Sequence, residues 1–263
     1  VDITLNSALA CTQAIPACAT ITVLPLPIAS ISANTICSGQ TGSIDFSGTA
    51  GALVEYLDND GITQTITLDA TTGLATLTTP ILTSNATYTL VNVTSLDNCT
   101  RIVNGTATVQ VNPLPTVTIA TTTANICSGT TATIDFTGTA NATITYTIDG
   151  NSNTILLDGT GAASVTATTT STYCLVSAAS NATPICSQLF TDCVTITVLD
   201  LPTVTISGNT VCEGATSVLT FTGTPNASVN YNLGAIAQPS VTLNAMGTAV
   251  VSTTFSAGTY TYS

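Results

Sequence analysis

The sequence predicts an all-β protein assembled from tandem repeats, and three observations carry that expectation. Thr, Val, Ile, Ala and Ser dominate, punctuated by Gly and Asn. β-Branched residues favour pleated strands, and Gly and Asn favour tight turns. The run NTICSGQTGSIDFSGTA at 34–50 returns as ANICSGTTATIDFTGTA at 124–140 and as NTVCEGATSVLTFTGTP at 209–225. Between these landmarks, short runs alternate apolar and polar residues, and nothing has the period of a long amphipathic helix.

The cysteines set the register. Cys37 to Cys127 is 90 residues and Cys127 to Cys212 is 85. A Pro-containing joint precedes each unit: LPLP at 24–27, NPLPTVTI at 112–119 and LDLPTVTI at 199–206. The expected division is therefore the last two strands of a repeat in 1–23, complete repeats in 28–111 and 116–198, and a repeat lacking its last strands in 203–263.

Each element has a local reason. Ile44 and Phe46, Ile134 and Phe136, and Leu219 and Phe221 alternate along an early strand and should face the core. Tyr88, Tyr173 and Tyr260 each open a late strand in TYTLV, TYCLV and TYTYS. The unit closes on CATITV at 18–23, TATVQV at 106–111 and CVTITV at 193–198. The inward sets there are Ala19, Ile21, Val23; Ala107, Val109, Val111; and Val194, Ile196, Val198. Repeats of about 85–90 residues with roughly seven such strands suit an immunoglobulin-like β-sandwich. Leu90, Leu175 and Tyr262 stand where an antibody domain has its strand-F cysteine, and the chain has no Trp. The sandwich is immunoglobulin-like in architecture without being an antibody relative. A fibronectin-type sandwich gives nearly the same pattern.

In order, the motifs LPTVTI, ICSG, IDFTGT, TYTLV and ATVQVNPLP resemble the tandem Ig-like repeats of very large surface proteins in the Bacteroidota. Those include giant adhesins linked to gliding motility and type IX secretion. The resemblance covers essentially the whole chain and implies an extracellular, non-enzymatic stalk or adhesive filament. It supplies no catalytic residues.

Composition narrows the function further. Thirteen acidic residues face one basic residue, Arg101, for a net charge of −12. That argues against nucleic acid, whose phosphates need Lys and Arg to release their counterions, and against docking on anionic membranes. Mean hydropathy is positive, yet Thr, Ser or Asn interrupts every apolar run well short of the ~18 residues a membrane span needs. There is no His for a Ser-His-Asp or Cys-His set, no phosphate loop, and too few carboxylates to predict a glycosidic pair. No cofactor is expected.

Nine cysteines suggest an oxidising compartment. Cys11, Cys99 and Cys186 each lie twelve residues before the last Val of their unit (Val23, Val111, Val198) and are therefore equivalent. The expected common disulfide lies within a unit, as Cys37–Cys99 and Cys127–Cys186. Cys174 and Cys193 point outward from neighbouring strands and should form a cross-strand bridge. By loop-closure entropy the common link is worth up to roughly 4 kcal/mol and the shorter one about 3. Cys11, Cys18 and Cys212 are left without partners. Zinc is disfavoured because Cys-x6-Cys (Cys11/Cys18, Cys186/Cys193) is not ligand spacing and His is absent.

Other candidate sites have plain readings. Asp58-Asn59-Asp60-Gly61 has the opening of a calcium loop, with Asp69 as the next carboxylate, but reads better as a hairpin turn. Asp45 and Asp135 alternate outward in IDF motifs, where the third unit has Thr220. Asn-x-Ser/Thr triplets at Asn85, Asn92, Asn98, Asn104, Asn141, Asn181 and Asn226 are weak evidence for glycans in so Thr-rich a chain.

The leading expectation is a set of non-enzymatic spacer repeats in a long extracellular surface adhesin or filament, with neighbouring repeats as partners. One Arg and no Lys leave trypsin a single cleavage site, which suits a secreted surface fibre. The alternatives are a module that binds surface glycans or proteins through its loops, and a filament subunit built by strand exchange. Ser263 matches Val91 and Val176 in register, and Val1 also matches Val176. The sequence thus reads as a window on a longer array, with a Cys expected two residues before Val1 and another about ten beyond Ser263. Strand exchange would instead permit a Cys212–Cys11 link between chains.

Overall fold

The alternating runs become strands: the computed structural model describes residues 2–4, 12–14 and 18–263, and among these it contains strands and no helix. Strands β1 (Asp2–Thr4) and β2 (Thr12–Ala14) form an antiparallel pair. Three sandwiches follow.

The first contains β3 (Ala29–Ala33), β4 (Thr35–Cys37), β5 (Gln40–Gly48), β6 (Leu53–Leu57) and β7 (Thr63–Thr67). It continues with β8 (Leu74–Leu82), β9 (Ala86–Thr94), β10 (Thr100–Ile102) and β11 (Thr106–Asn112). One sheet runs β3-β5-β8; the other runs β4-β11-β9-β6-β7, with β10 continuing on β9. The opening segment therefore divides between the sheets, and β4 lies parallel to β11 while the other pairs are antiparallel.

The second sandwich repeats this plan with β12 (Val117–Thr121), β13 (Asn125–Cys127), β14 (Ala132–Gly138), β15 (Thr143–Ile148) and β16 (Asn151–Leu156). It closes with β17 (Ala162–Ala167), β18 (Ser171–Ala179), β19 (Ser187–Leu189) and β20 (Cys193–Leu199). Its sheets are β12-β14-β17 and β13-β20-β18-β15-β16, again with β19 on β18.

The third unit has β21 (Val204–Gly208), β22 (Thr216–Gly223) and β27 (Thr248–Thr254) in one sheet. Facing it are two short pairs, β23 (Ser228–Val229) with β26 (Val241–Thr242) and β24 (Asn232–Leu233) with β25 (Ile236–Ala237).

Each sandwich has its own core built at corresponding positions. Phe46, Phe136 and Phe221 are almost fully buried, next to Ile44, Ile134 and Leu219. Each Phe packs against a Tyr of the facing layer: Phe46 on Tyr56, Phe136 on Tyr146 and Phe221 on Tyr231, which lies between β23 and β24, with ring centroids 5.1, 4.9 and 4.9 Å apart. Such tilted aromatic pairs add to simple area burial. Deleting one of these rings would cost about 3–5 kcal/mol by the usual core-truncation scale.

Two expectations about strands need correction. Residues 18–23 are not a strand, and Ile21 and Val23 are almost completely exposed. Alternation permits a strand but does not supply its hydrogen-bond partners, and no described strand pairs with this segment. Tyr260 is not the buried counterpart of Tyr88 and Tyr173. It stacks on Phe255 at 3.9 Å, while Tyr262 takes the place against Tyr231 at 6.1 Å. A two-residue slip keeps the same face of a strand inward, so Tyr262 occupies the place expected of Tyr260 without disturbing the pattern. By contrast, β1 and β2 do follow the register expected from Cys11. Asp2 faces Ala14 and Thr4 faces Thr12, just as Ser177 faces Leu189 and Ala179 faces Ser187. Cys11 itself lies outside the described residues.

Candidate functional site at the inter-repeat joint

The chain enters each sandwich through a residue that directly follows the joint proline: Ile28, Thr116 or Thr203. In each case the Thr of the FxGT motif holds that residue by two hydrogen bonds. Ile28 N–H donates to Thr49 Oγ1 at 3.0 Å, and Ile28 C=O accepts from Thr49 N–H at 3.0 Å. The corresponding distances are 2.9 and 2.9 Å for Thr116 with Thr139, and 2.9 and 2.8 Å for Thr203 with Thr224. The preceding glycine leaves room for this contact. A Cβ on Gly48, Gly138 or Gly223 would run into the carbonyl oxygen of Ile28, Thr116 or Thr203. Its other side is closed by a second glycine in the left-handed region, Gly73, Gly161 or Gly247, which accepts its N–H at 2.8–2.9 Å. The joint prolines Pro27 and Pro115 are buried. The motif was visible as a repeat, but its task was not. The signal available was the invariant Gly-Thr pair at a fixed place after each Phe.

The exit is equally regular. Ser38 N–H donates to Asn112 C=O and Ser128 N–H to Leu199 C=O, both at 2.8 Å. This places Cys37 and Cys127 at the ends of their sandwiches where the chain departs. The hairpin tips at the opposite ends carry Cys99 and Cys186. Ser95 Oγ accepts from Cys99 N–H at 3.3 Å, and Ser180 Oγ accepts from Cys186 N–H at 3.0 Å.

Exit and tip meet across the joint between the first two sandwiches. Cys37 is bonded to Cys186 with the Cα atoms 5.5 Å apart, and both residues are buried. Asn112 Nδ2 donates to Thr183 C=O at 3.2 Å beside the bond. The expected Cys37–Cys99 and Cys127–Cys186 links are therefore not formed, and Cys99 and Cys127 are free thiols, half-buried and exposed. The reason is topological. Cys37 is level with Asn112 at one end of β11, and Cys99 lies beyond the other end. Seven strand residues separate them by more than ~20 Å, whereas a disulfide needs Cα atoms within about 7 Å. The second sandwich has the same layout. Cys174 and Cys193 lie directly opposite on β18 and β20, bonded, with Cα atoms 4.1 Å apart. Cys18 and Cys212 are exposed thiols. Cys186 and Cys193 have different disulfide partners, so that Cys-x6-Cys pair is not a ligand set.

The remaining candidates are turns and surface positions. Asp58 Oδ1 accepts from the N–H of Asp60 and Ile62, at 3.0 and 2.9 Å, inside the β6–β7 hairpin. Those bonds, led by Ile62, hold its carboxyl below the usual range. Asp69 caps a separate turn before β8, where the N–H and hydroxyl of Thr72 lower it likewise. Asp45 is exposed and accepts from Thr76 Oγ1 at 2.7 Å, and Asp135 is half-buried on the matching strand. Asn98, Asn141 and Asn226 have positive φ, which gives these three triplet residues a role as turn formers. Asn85 and Asn92 use their amides on Gln110 and Glu55. Two cavities of about 380 and 440 Å³ lie in the third unit, and Glu213 is their one carboxylate. Among the described residues no three His, Cys, Asp or Glu side chains gather to hold a metal ion.

No protein-family model matches the chain, and no curated protein is similar to it. Solved structures are. Three consecutive domains of the I-band of titin match at 14% identity, covering 88% of this chain and 89% of that one, with a TM-score of 0.51. An E-to-A variant of that fragment matches with a TM-score of 0.53 at the same identity and coverage. A Ca2+-stabilised adhesin with which an Antarctic bacterium reaches out and binds ice matches at 18% identity, covering 96% of this chain and 72% of that one, with a TM-score of 0.45. The fold is an immunoglobulin-like β-sandwich in tandem.

Proposed function

We propose that this chain consists of non-enzymatic spacer repeats of a long extracellular surface adhesin or filament, of the kind its motifs resemble in the gliding and type IX-secreted proteins of the Bacteroidota. One observation carries the reading: outside the cores, the feature repeated in all three sandwiches sits at the joints. The Gly-Thr clamp occurs three times with the same geometry, and a disulfide crosses from one sandwich to the next. Selection on a spacer falls on how repeats are joined. Selection on an enzyme or a receptor falls on a pocket or a loop cluster.

The aromatic residues support the same conclusion against a glycan-binding module. Tyr56, Tyr88, Tyr146, Tyr173 and Tyr231 are buried in the cores, Tyr262 is half-buried against Tyr231, and Tyr260 is the exposed one. A sugar platform needs aromatic faces in the open. Secretion to the cell surface fits disulfide formation and the near-absence of trypsin sites.

The test is a glycan array and a broad hydrolase screen on the intact chain. Neither saturable binding confined to one sandwich nor turnover of any substrate is expected, and either result would reject the spacer reading.

A further inference from the structure

We infer that the Cys37–Cys186 bond is one instance of a link made at every joint: each repeat is covalently bonded to the hairpin tip of the repeat that follows it. The partner recognised by Cys127 is the next repeat's tip cysteine. The partner recognised by Cys99 is the exit cysteine of the repeat before. The inference rests on the tandem array and is independent of what the array displays.

Two thiols standing where bonded cysteines stand elsewhere in the same molecule are the first support. Cys127 has the surroundings of Cys37: a three-residue strand parallel to the closing strand, level with its last residue, and a following Ser whose N–H donates to that residue at 2.8 Å. Cys99 has the surroundings of Cys186: a hairpin tip in which a Ser hydroxyl accepts the cysteine N–H and the Ser N–H donates to the cysteine carbonyl, at 3.0 and 2.8 Å. Burial is the second support. The positions are buried where a neighbour covers them, at Cys37 and Cys186, whereas Cys127 is exposed and Cys99 only half-buried. The entry clamp is the third. Thr139 and Thr224 grip the incoming chain at the same distances to within 0.1 Å, so the chain enters the third unit as it enters the second.

Bond formation is ordinary thiol–disulfide exchange. The Cys127 thiol loses its proton and attacks a small-molecule or protein disulfide, expelling one thiolate. The tip cysteine then attacks the mixed disulfide and expels the other. Two thiols become one disulfide, and the oxidant takes up the two electrons and two protons as two thiols.

The experiment uses the full chain with residues 116–202 duplicated in tandem. The second copy carries Cys127→Ser, so that one Cys127 remains, and Ile185→Val, a conservative change at an exposed position that marks its Cys186 peptide by mass. After refolding in glutathione disulfide buffer, non-reducing peptic mapping should recover Cys127 linked to the marked Cys186 and Cys37 linked to the unmarked one. A marked Cys186 that is alkylated as a free thiol, or linked elsewhere, overturns the inference. If the longer chain does not fold, the unaltered chain is mapped after native alkylation. Cys99 and Cys127 should then be alkylated and Cys37–Cys186 recovered, while a Cys37–Cys99 or Cys127–Cys186 peptide overturns it.

Discussion

At Gly138 a single added methyl group would meet the carbonyl of Thr116, and the chain cannot retreat because Thr139 holds the same residue by both its N–H and its C=O. Gly138→Ala should therefore destabilise the second sandwich by about 1–3 kcal/mol, the range for a forced overpacking, measured by urea unfolding of the whole chain; an unchanged midpoint would show that the clamp yields. Asp158 supplies a second prediction. The hydroxyl of Thr160, followed by the N–H groups of Ala162 and Thr160, holds its carboxyl below the ordinary value. A depressed folded-state value contributes stability that is present above the unfolded value of about 3.9 and is lost as pH falls through the lower folded value. Asp158→Asn should thus be less stable than the parent at neutral pH, with the gap closing below about pH 4. Thermal melts across that range check it, and a gap constant with pH would remove the carboxylate from the account. The third unit already carries Asn244 in this turn, accepting from the N–H groups of Met246 and Thr248, and should show no such acid dependence. These roles were only half visible in the sequence. Repetition marked Gly138 and Thr139 as important, but what they hold is a residue more than twenty positions away.

Strands were the most legible elements, because a period of two states which side chains go inward. Ile44, Phe46, Ile134, Phe136, Leu219 and Phe221 are all core residues, and the outward placement of Cys174 and Cys193 follows from the same alternation. Their bridge ties the neighbouring strands β18 and β20 across a separation of 19 residues. Cys174→Ser should lower the stability of the second sandwich by up to about 3 kcal/mol on the loop-entropy scale, and leave the first nearly unaffected. Hydrogen exchange on each sandwich separately reads this, and equal loosening of both would contradict the local role. What periodicity did not carry was pairing. The segment 18–23 alternates as well as any strand, yet no described strand pairs with it. Likewise, equivalence between Cys99 and Cys186 was readable by counting from the closing Val. Whether either bonds inside its own unit depends on which end of the sandwich each cysteine occupies, and counting along the chain does not supply that.

On the scale of the whole molecule, the Cys37–Cys186 bond closes a loop of 149 residues that contains most of the first sandwich and most of the second. Under tension applied to the two ends, load crosses from residue 37 to residue 186 through sulfur, and everything between is shielded even after its strands have peeled apart. At ~3.4 Å per extended residue the hidden length is roughly 500 Å. Single-molecule stretching of the oxidised chain should therefore end roughly 500 Å shorter than stretching in reductant, and equal contour lengths in the two conditions would show that the bond does not bear load. The ambient thiol balance, rather than the strength of any sandwich, then sets how far this polymer can be drawn out before it breaks.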